Sequence, residues 1–107
     1  MADAPETDPR TIQLRRYELT PELVDDFIAW WTARLAPCRR EAGFRIEFAY
    51  LNPEISEFTW AVSTPGDETR FLEIEAEYMQ SPARAEVFDG TPKRIDKHHI
   101  RFVDWIA

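Results

Sequence analysis

Cysteine is nearly absent: Cys38 stands alone, so no internal disulfide can form. The opening Met-Ala-Asp-Ala-Pro-Glu-Thr-Asp-Pro is neither basic nor apolar, so it does not read as a secretory signal, and the two absences together fit a reducing cytoplasm. No apolar stretch approaches the length a membrane span needs. Basic charge is in deficit, with 13 Lys and Arg against 20 Asp and Glu and a formal net charge of -7. Such a balance repels a phosphate backbone or an anionic lipid surface, so neither nucleic acid nor membrane is an expected partner. The two histidines, His98 and His99, are adjacent and would point to opposite faces of a strand, so they cannot grip one metal. No other metal, nucleotide or cofactor motif is present, and there is no useful internal repeat or low-complexity stretch.

What is present is a single domain's worth of chain, 107 residues, with 44% apolar residues and four Trp, seven Phe and three Tyr. That excludes general disorder and makes the core rich in rings. Residues 1 to 10 hold little to bury and read as a disordered arm preceding one domain over 11 to 107. The rest is organised around Thr20 to Ala42, where Val24, Ile28, Trp31, Leu35, Cys38 and Ala42 recur at steps of four and three, and Leu23, Phe27 and Trp30 widen the stripe. Thr20 is placed to cap this helix through its hydroxyl, Pro21 suits its first turn, Gly43 its left-handed stop, and Pro37 should kink its last turns or split off a short segment.

Strand alternation covers Thr11 to Tyr17, Phe44 to Leu51, Glu57 to Ser63 and His99 to Ile106. Asp67 is a cap for a helix to about Met79; Phe71 to Met79 also alternates like a strand, and helix is the choice made on the helix-forming Glu, Leu and Ala. Ser81-Pro82 opens a further short helix that Asp89-Gly90 ends, and Lys93 to Lys97 reads as a charged connector. The order is that of an α+β, ferredoxin-like βαββαβ fold: a four-stranded antiparallel sheet with both helical layers on one face. Ile12, Leu14, Phe44, Ile46, Phe48, Tyr50, Phe58, Trp60, Val62, Ile100 and Phe102 are expected to face the helices. The other face would carry Tyr17, Leu51, Val103 and Trp105 among Arg15, Arg45, Glu47, His99 and Arg101, a mixture that a second copy of the sheet would cover.

Tyr17-Glu18-Leu19, the Trp30-Trp31 pair, Pro37-x-Arg39-x-x-x-Gly43-Phe44 and Glu57-Phe58-x-Trp60 resemble the NIPSNAP family of the dimeric α/β barrel superfamily, over roughly residues 12 to 106. The resemblance implies a homodimer whose two sheets close into a barrel. It also implies a ligand site between sheet and helices, in a superfamily of cofactor-free monooxygenases, haem-degrading enzymes, lactone isomerases and many members without an assigned reaction.

Phe27, Trp30, Phe58, Trp60, Phe71 and Tyr78 would line that space, which suits a flat apolar ligand if the rings do not simply pack on each other. Arg34 falls within the apolar stripe and could hold a substrate carboxylate or enolate, or snorkel to solvent. Tyr50 and Tyr78 are candidate hydrogen-bond donors to a carbonyl, and His99 a candidate haem ligand or base, or an interface histidine. Asp104 reads as a buried acid or an exposed strand end, Cys38 as a small buried side chain, and Glu73, Glu75 and Glu77 as a solvated face. The functional expectation is a small-molecule-binding homodimer without a cofactor. The alternatives are a cofactor-independent monooxygenase or isomerase, and a non-catalytic structural or interaction dimer.

Overall fold

The computed structural model describes residues 9–106, so the expected arm lies outside the described residues apart from Pro9 and Arg10, and Arg10 already belongs to the first strand. The chain runs β1 (Arg10–Leu19), a 3-10 turn (Pro21–Leu23), α1 (Val24–Trp30), a π turn (Trp31–Leu35) and α2 (Ala36–Glu41). It continues through β2 (Arg45–Asn52), β3 (Glu57–Pro65), α3 (Glu68–Gln80), α4 (Pro82–Phe88) and β4 (Ile95–Val103). The four strands form one antiparallel sheet in the order β2-β3-β1-β4, the ferredoxin-like arrangement. The stretch Phe71 to Met79 is helical within α3, and β4 begins four residues before His99 and ends before Trp105, so the supposed connector contributes Ile95 to Lys97 to the sheet.

The long helical segment keeps its stripe but not its regularity. Pro37 has no N–H to offer the carbonyl one turn back, and the chain answers with a wider turn just before it: the Ala36 N–H bonds the Trp31 carbonyl five residues away. Downstream the helix resumes as α2 and stops at Gly43, whose φ of +104° only glycine adopts without strain. Thr20 does not cap the helix through its hydroxyl, which instead donates to the Asp96 carboxylate at 2.8 Å and ties the helix entry to β4. The two later caps form as the sequence demands, Asp67 accepting from the Arg70 N–H and Ser81 from the Arg84 N–H.

Two strands present other faces to the helices than their sequence alternation suggests. On β1 the helices cover Gln13, Arg15, Tyr17 and Leu19, and Ile12 and Leu14 point the other way. Arg15 pairs with Trp60 and Tyr17 with Phe58 in register, and the Tyr17 ring meets Phe27 and Trp60 edge-on. One large ring and one leucine at the end of β1 outweigh two aliphatics at its start. On β2 a bulge between Ile46 and Phe48 adds one residue, so Ile46 and Leu51 face the helices and Phe48 and Tyr50 face outward. The extra residue, Glu47, is held on the outer face by Ser63 Oγ at 2.6 Å and Arg45 Nε at 2.9 Å. Burial alone would raise its pKa, but these two bonds outweigh that and hold its carboxyl below the usual range.

Between sheet and helices the core is built of rings packed edge to face, Trp31 on Trp60 at 5.3 Å, Phe44 on Phe71 at 5.6 Å and Phe71 on Phe102 at 5.2 Å. Cys38 is buried among them and its thiol is pushed up by desolvation and by Glu41. Because Ser81 both caps α4 and donates to the Tyr78 carbonyl at 2.8 Å, Ser81→Ala is expected to lower stability by about 1 kcal/mol in urea unfolding. An unchanged midpoint would contradict the cap.

Candidate functional site

Two adjoining cavities open between the helix-covered sheet face and α4. The larger, about 460 Å³, is walled by Phe27, Trp30, Phe88 and Ile95 and rimmed by Lys93 and Arg94. The smaller, about 110 Å³, lies deeper, against Arg15, Tyr17, Leu35, Arg39 and Tyr78. Both share Trp30, Arg84, Phe88, Ile95 and His98, so one space grades into the other. A second bulge, where the register between β1 and β4 shifts at Glu18 and Leu19, lets Ile95 and His98 face the same side although three residues apart.

Basic side chains dominate the deep end. Arg39, at 4% exposure, lies over the rings of Tyr78 at 4.4 Å and Phe44 at 4.6 Å, and its Nε and Nη1 have no hydrogen-bond partner. Glu75 lies 3.7 Å from Arg39 and 3.5 Å from Arg15, so one carboxylate serves two guanidiniums. Glu75 is thus drawn under the sheet instead of sharing the solvated face expected of Glu73, Glu75 and Glu77. Arg15 is otherwise well held, donating to Tyr17 Oη at 2.8 Å and Gln13 Oε1 at 2.6 Å. Arg84 covers Phe88 at 4.2 Å with its Nε unpartnered, and the buried Tyr78 hydroxyl is also unpartnered.

Charge crowding shows in the titrations. Burial, and next the neighbouring Arg15, lower the Arg39 pKa against the pull of Tyr78, Tyr17 and Glu75. Burial raises that of Tyr78 despite Arg39. His98, edge-on to Tyr17 at 5.0 Å, is pushed down by partial burial, then by Arg15 and His99. At the outer rim Arg94 stacks on Trp30 at 4.4 Å and bonds Asp26 at 2.7 Å, and Trp30 Nε1 donates to the Val87 carbonyl, which fixes the indole as a wall.

Of the residues expected from sequence, Phe27 and Trp30 line the larger cavity and Trp30 and Tyr78 the smaller. Phe58, Trp60 and Phe71 are buried in the ring core behind it, with Trp60 touching the site through Arg15 and Arg39 stacked on its ring. Arg34 is exposed on the π turn and lines neither cavity. Tyr50 and Asp104 are exposed, Tyr50 on the outer sheet face, where His99 also lies, bonded to Glu18 at 2.7 Å. Arg15, Arg39, Arg84 and His98 escaped sequence reading. Arg39 does fall four residues after Leu35 and one after Cys38, on the buried stripe, which was the available signal.

His98 is expected to titrate below the ordinary histidine value of about 6.5 in a proton NMR pH series, and Arg15→Gln to raise its midpoint by removing a like charge. Since folding favours the neutral ring, its contribution to stability is present above about 6.5 and is lost as pH falls towards the folded value. A midpoint unmoved by Arg15→Gln would exclude the coupling.

Among the described residues no helix is long and apolar enough to cross a membrane, and no group of three His, Cys, Asp or Glu side chains is placed to hold a metal. No family model and no curated protein matches the sequence. Solved structures do. An uncharacterised NIPSNAP domain protein from Burkholderia xenovorans superposes with a TM-score of 0.78 at 10% identity, covering 91% of this chain and 95% of that one. A NIPSNAP family protein of unknown function from Agrobacterium tumefaciens gives 0.75 at 12% identity, over 88% and 86%. A candidate antibiotic biosynthesis monooxygenase from Bacteroides thetaiotaomicron gives 0.62 at 17% identity, over 92% and 89%. The fold of this chain is therefore that of the NIPSNAP domain proteins, shared more distantly with a candidate monooxygenase.

Proposed function

We propose that this chain binds a small, ring-bearing molecule in the space between sheet and helices and does so as a homodimer. The supporting observation for binding is the cavity of about 460 Å³ whose walls, Phe27, Trp30 and Phe88, offer aromatic faces while their backs are held by the core. Trp30 and Phe88 pack edge-on at 5.1 Å, so the two rings form one continuous aromatic wall of the cavity. Site residues in this reading are Phe27, Trp30, Phe88 and Tyr78.

The homodimer is supported by the outer sheet face. Helices leave it bare, and it carries Ile12, Leu14, Phe48 and Tyr50, the last 60% exposed, with Val103 beside them. Around these run the ion pair Arg16–Glu57 and the hydrogen bond between His99 and Glu18. An apolar strip with a charged border is the composition of an isologous contact.

A catalytic reading, a cofactor-independent monooxygenase or isomerase, is favoured by one observation: the His98 imidazole and the unpartnered Tyr78 hydroxyl flank the same deep cavity, as a base and a hydrogen-bond donor would. Oxygen uptake with quinol substrates, abolished by Tyr78→Phe or His98→Gln, would promote it over plain binding.

Two measurements test the main reading. Native mass spectrometry of protein purified without denaturation is expected to give a dimer, with retained mass that Trp30→Ala reduces at least about tenfold in occupancy. Sedimentation at micromolar concentration is expected to show a dimer that Leu14→Arg converts to folded monomer. Wild-type monomer would remove the dimer, and retention unaffected by Trp30→Ala would remove the site.

A further inference from the structure

The protein's charge is distributed against its average. Among the described residues no Asp or Glu lines either cavity, while Arg15, Arg39, Arg84, Lys93 and Arg94, five of the chain's 13 Lys and Arg, all do. In a chain of net charge -7 such segregation concentrates a positive field inside one recess. Among the residues lining the deep cavity, Arg39 Nε and Nη1, Arg84 Nε and the Tyr78 hydroxyl are buried donors with no acceptor. Leaving buried donors without an acceptor costs stability even where the charge is partly answered by Glu75 and by ring faces, so the arrangement is costly unless something arrives to accept them. Glu75 cannot, since it stands between two guanidiniums and beyond hydrogen-bond distance of Arg39.

We infer that the deep cavity is an oxyanion subsite and that the bound molecule is an aromatic carboxylic acid, its ring in the larger cavity against the Trp30–Phe88 wall and its carboxylate among Arg39, Arg84 and Tyr78. This rests on the binding reading above and gives it a ligand class. A planar carboxylate matches the fork of a guanidinium, and a volume of about 110 Å³ admits it. Phosphoryl groups are more often cradled by backbone N–H groups at a glycine-rich turn or helix start, and the lining of this recess is side chains without a glycine. Lys93 at the mouth attracts the acid, while Arg94 beside it is already paired with Asp26.

Calorimetric titration of 2-naphthoate, its neutral isostere 2-naphthamide and 2-naphthyl phosphate, at fixed ionic strength, tests the assignment on the wild type, Arg39→Met and Arg84→Gln. The acid is expected to bind roughly tenfold or more tighter than the amide, and each variant to remove most of that preference while leaving amide affinity within about threefold. Arg39→Met deletes a desolvated cation and is expected to fold with a melting point at or above wild type; Arg84→Gln, at a half-buried position, is the second probe should it not. NMR gives an independent readout: naphthoate raises the His98 pKa and naphthamide does not. Equal affinity for acid and amide overturns the carboxylate subsite and leaves the binding cavity standing. Naphthyl phosphate binding tenfold tighter than naphthoate overturns the choice of carboxylate. If none of the three binds at millimolar concentration, the subsite and the cavity reading fall together.

Discussion

Trp60 is wholly buried at the centre of β3, and two kinds of neighbour compete for it. Trp31 and Tyr17 pack on it edge to face, as a hydrophobic core requires, while Arg15 and Arg39 each lie 5.5 Å from its ring. A guanidinium can be taken out of water only if its charge is answered, and here much of the answer is the electron-rich faces of Trp60, Tyr78 and Phe44. The density of rings is thus as much a condition for keeping cations inside as it is a source of burial.

That condition organises the helix layer. α3 brings Glu75 and Tyr78 from one side and α4 brings Arg84 from the other, with the Ser81 cap setting the angle between them. The long helical segment brings Arg39 from its far end and Trp30 from its middle. Cations and aromatic walls therefore reach one space from four separate elements, the sheet included, and no local sequence motif could encode them together.

This explains what was legible beforehand. Element order, the helix stripe, the caps at Asp67 and Ser81 and the Gly43 stop are local or periodic properties, and the helix over Glu68–Gln80 follows from its formers. Face assignment failed on β1 because Ile12 and Leu14 were set toward the helices from that strand's own alternation, read only to Tyr17, whereas the choice is made by Phe27 and Trp60 packing on Tyr17 across the core. It failed on the end of β2 because a bulge leaves no mark in alternation beyond a phase slip at Glu47. Arg34 drew attention as the basic residue within the stripe, but the widened turn around it leaves it in water, and Arg39 is the arginine of that helical segment that is buried.

The π turn ahead of Pro37 carries one residue more than a regular helix would. One residue of helix is about 100° of rotation, so the insertion works as a phase plate between two halves of a single rod. The consecutive tryptophans ahead of it, about 100° apart as on any helix, serve different rooms, Trp31 sealed against Trp60 in the core and Trp30 beside Phe88 at the cavity. Excising one residue from Trp31–Leu35 would regularise the rod while turning α1 out of phase with α2, so the architecture would keep a helix and lose the alignment between its wall and its arginine. The irregularity that looks like an imperfection in the helix is the part that aims it.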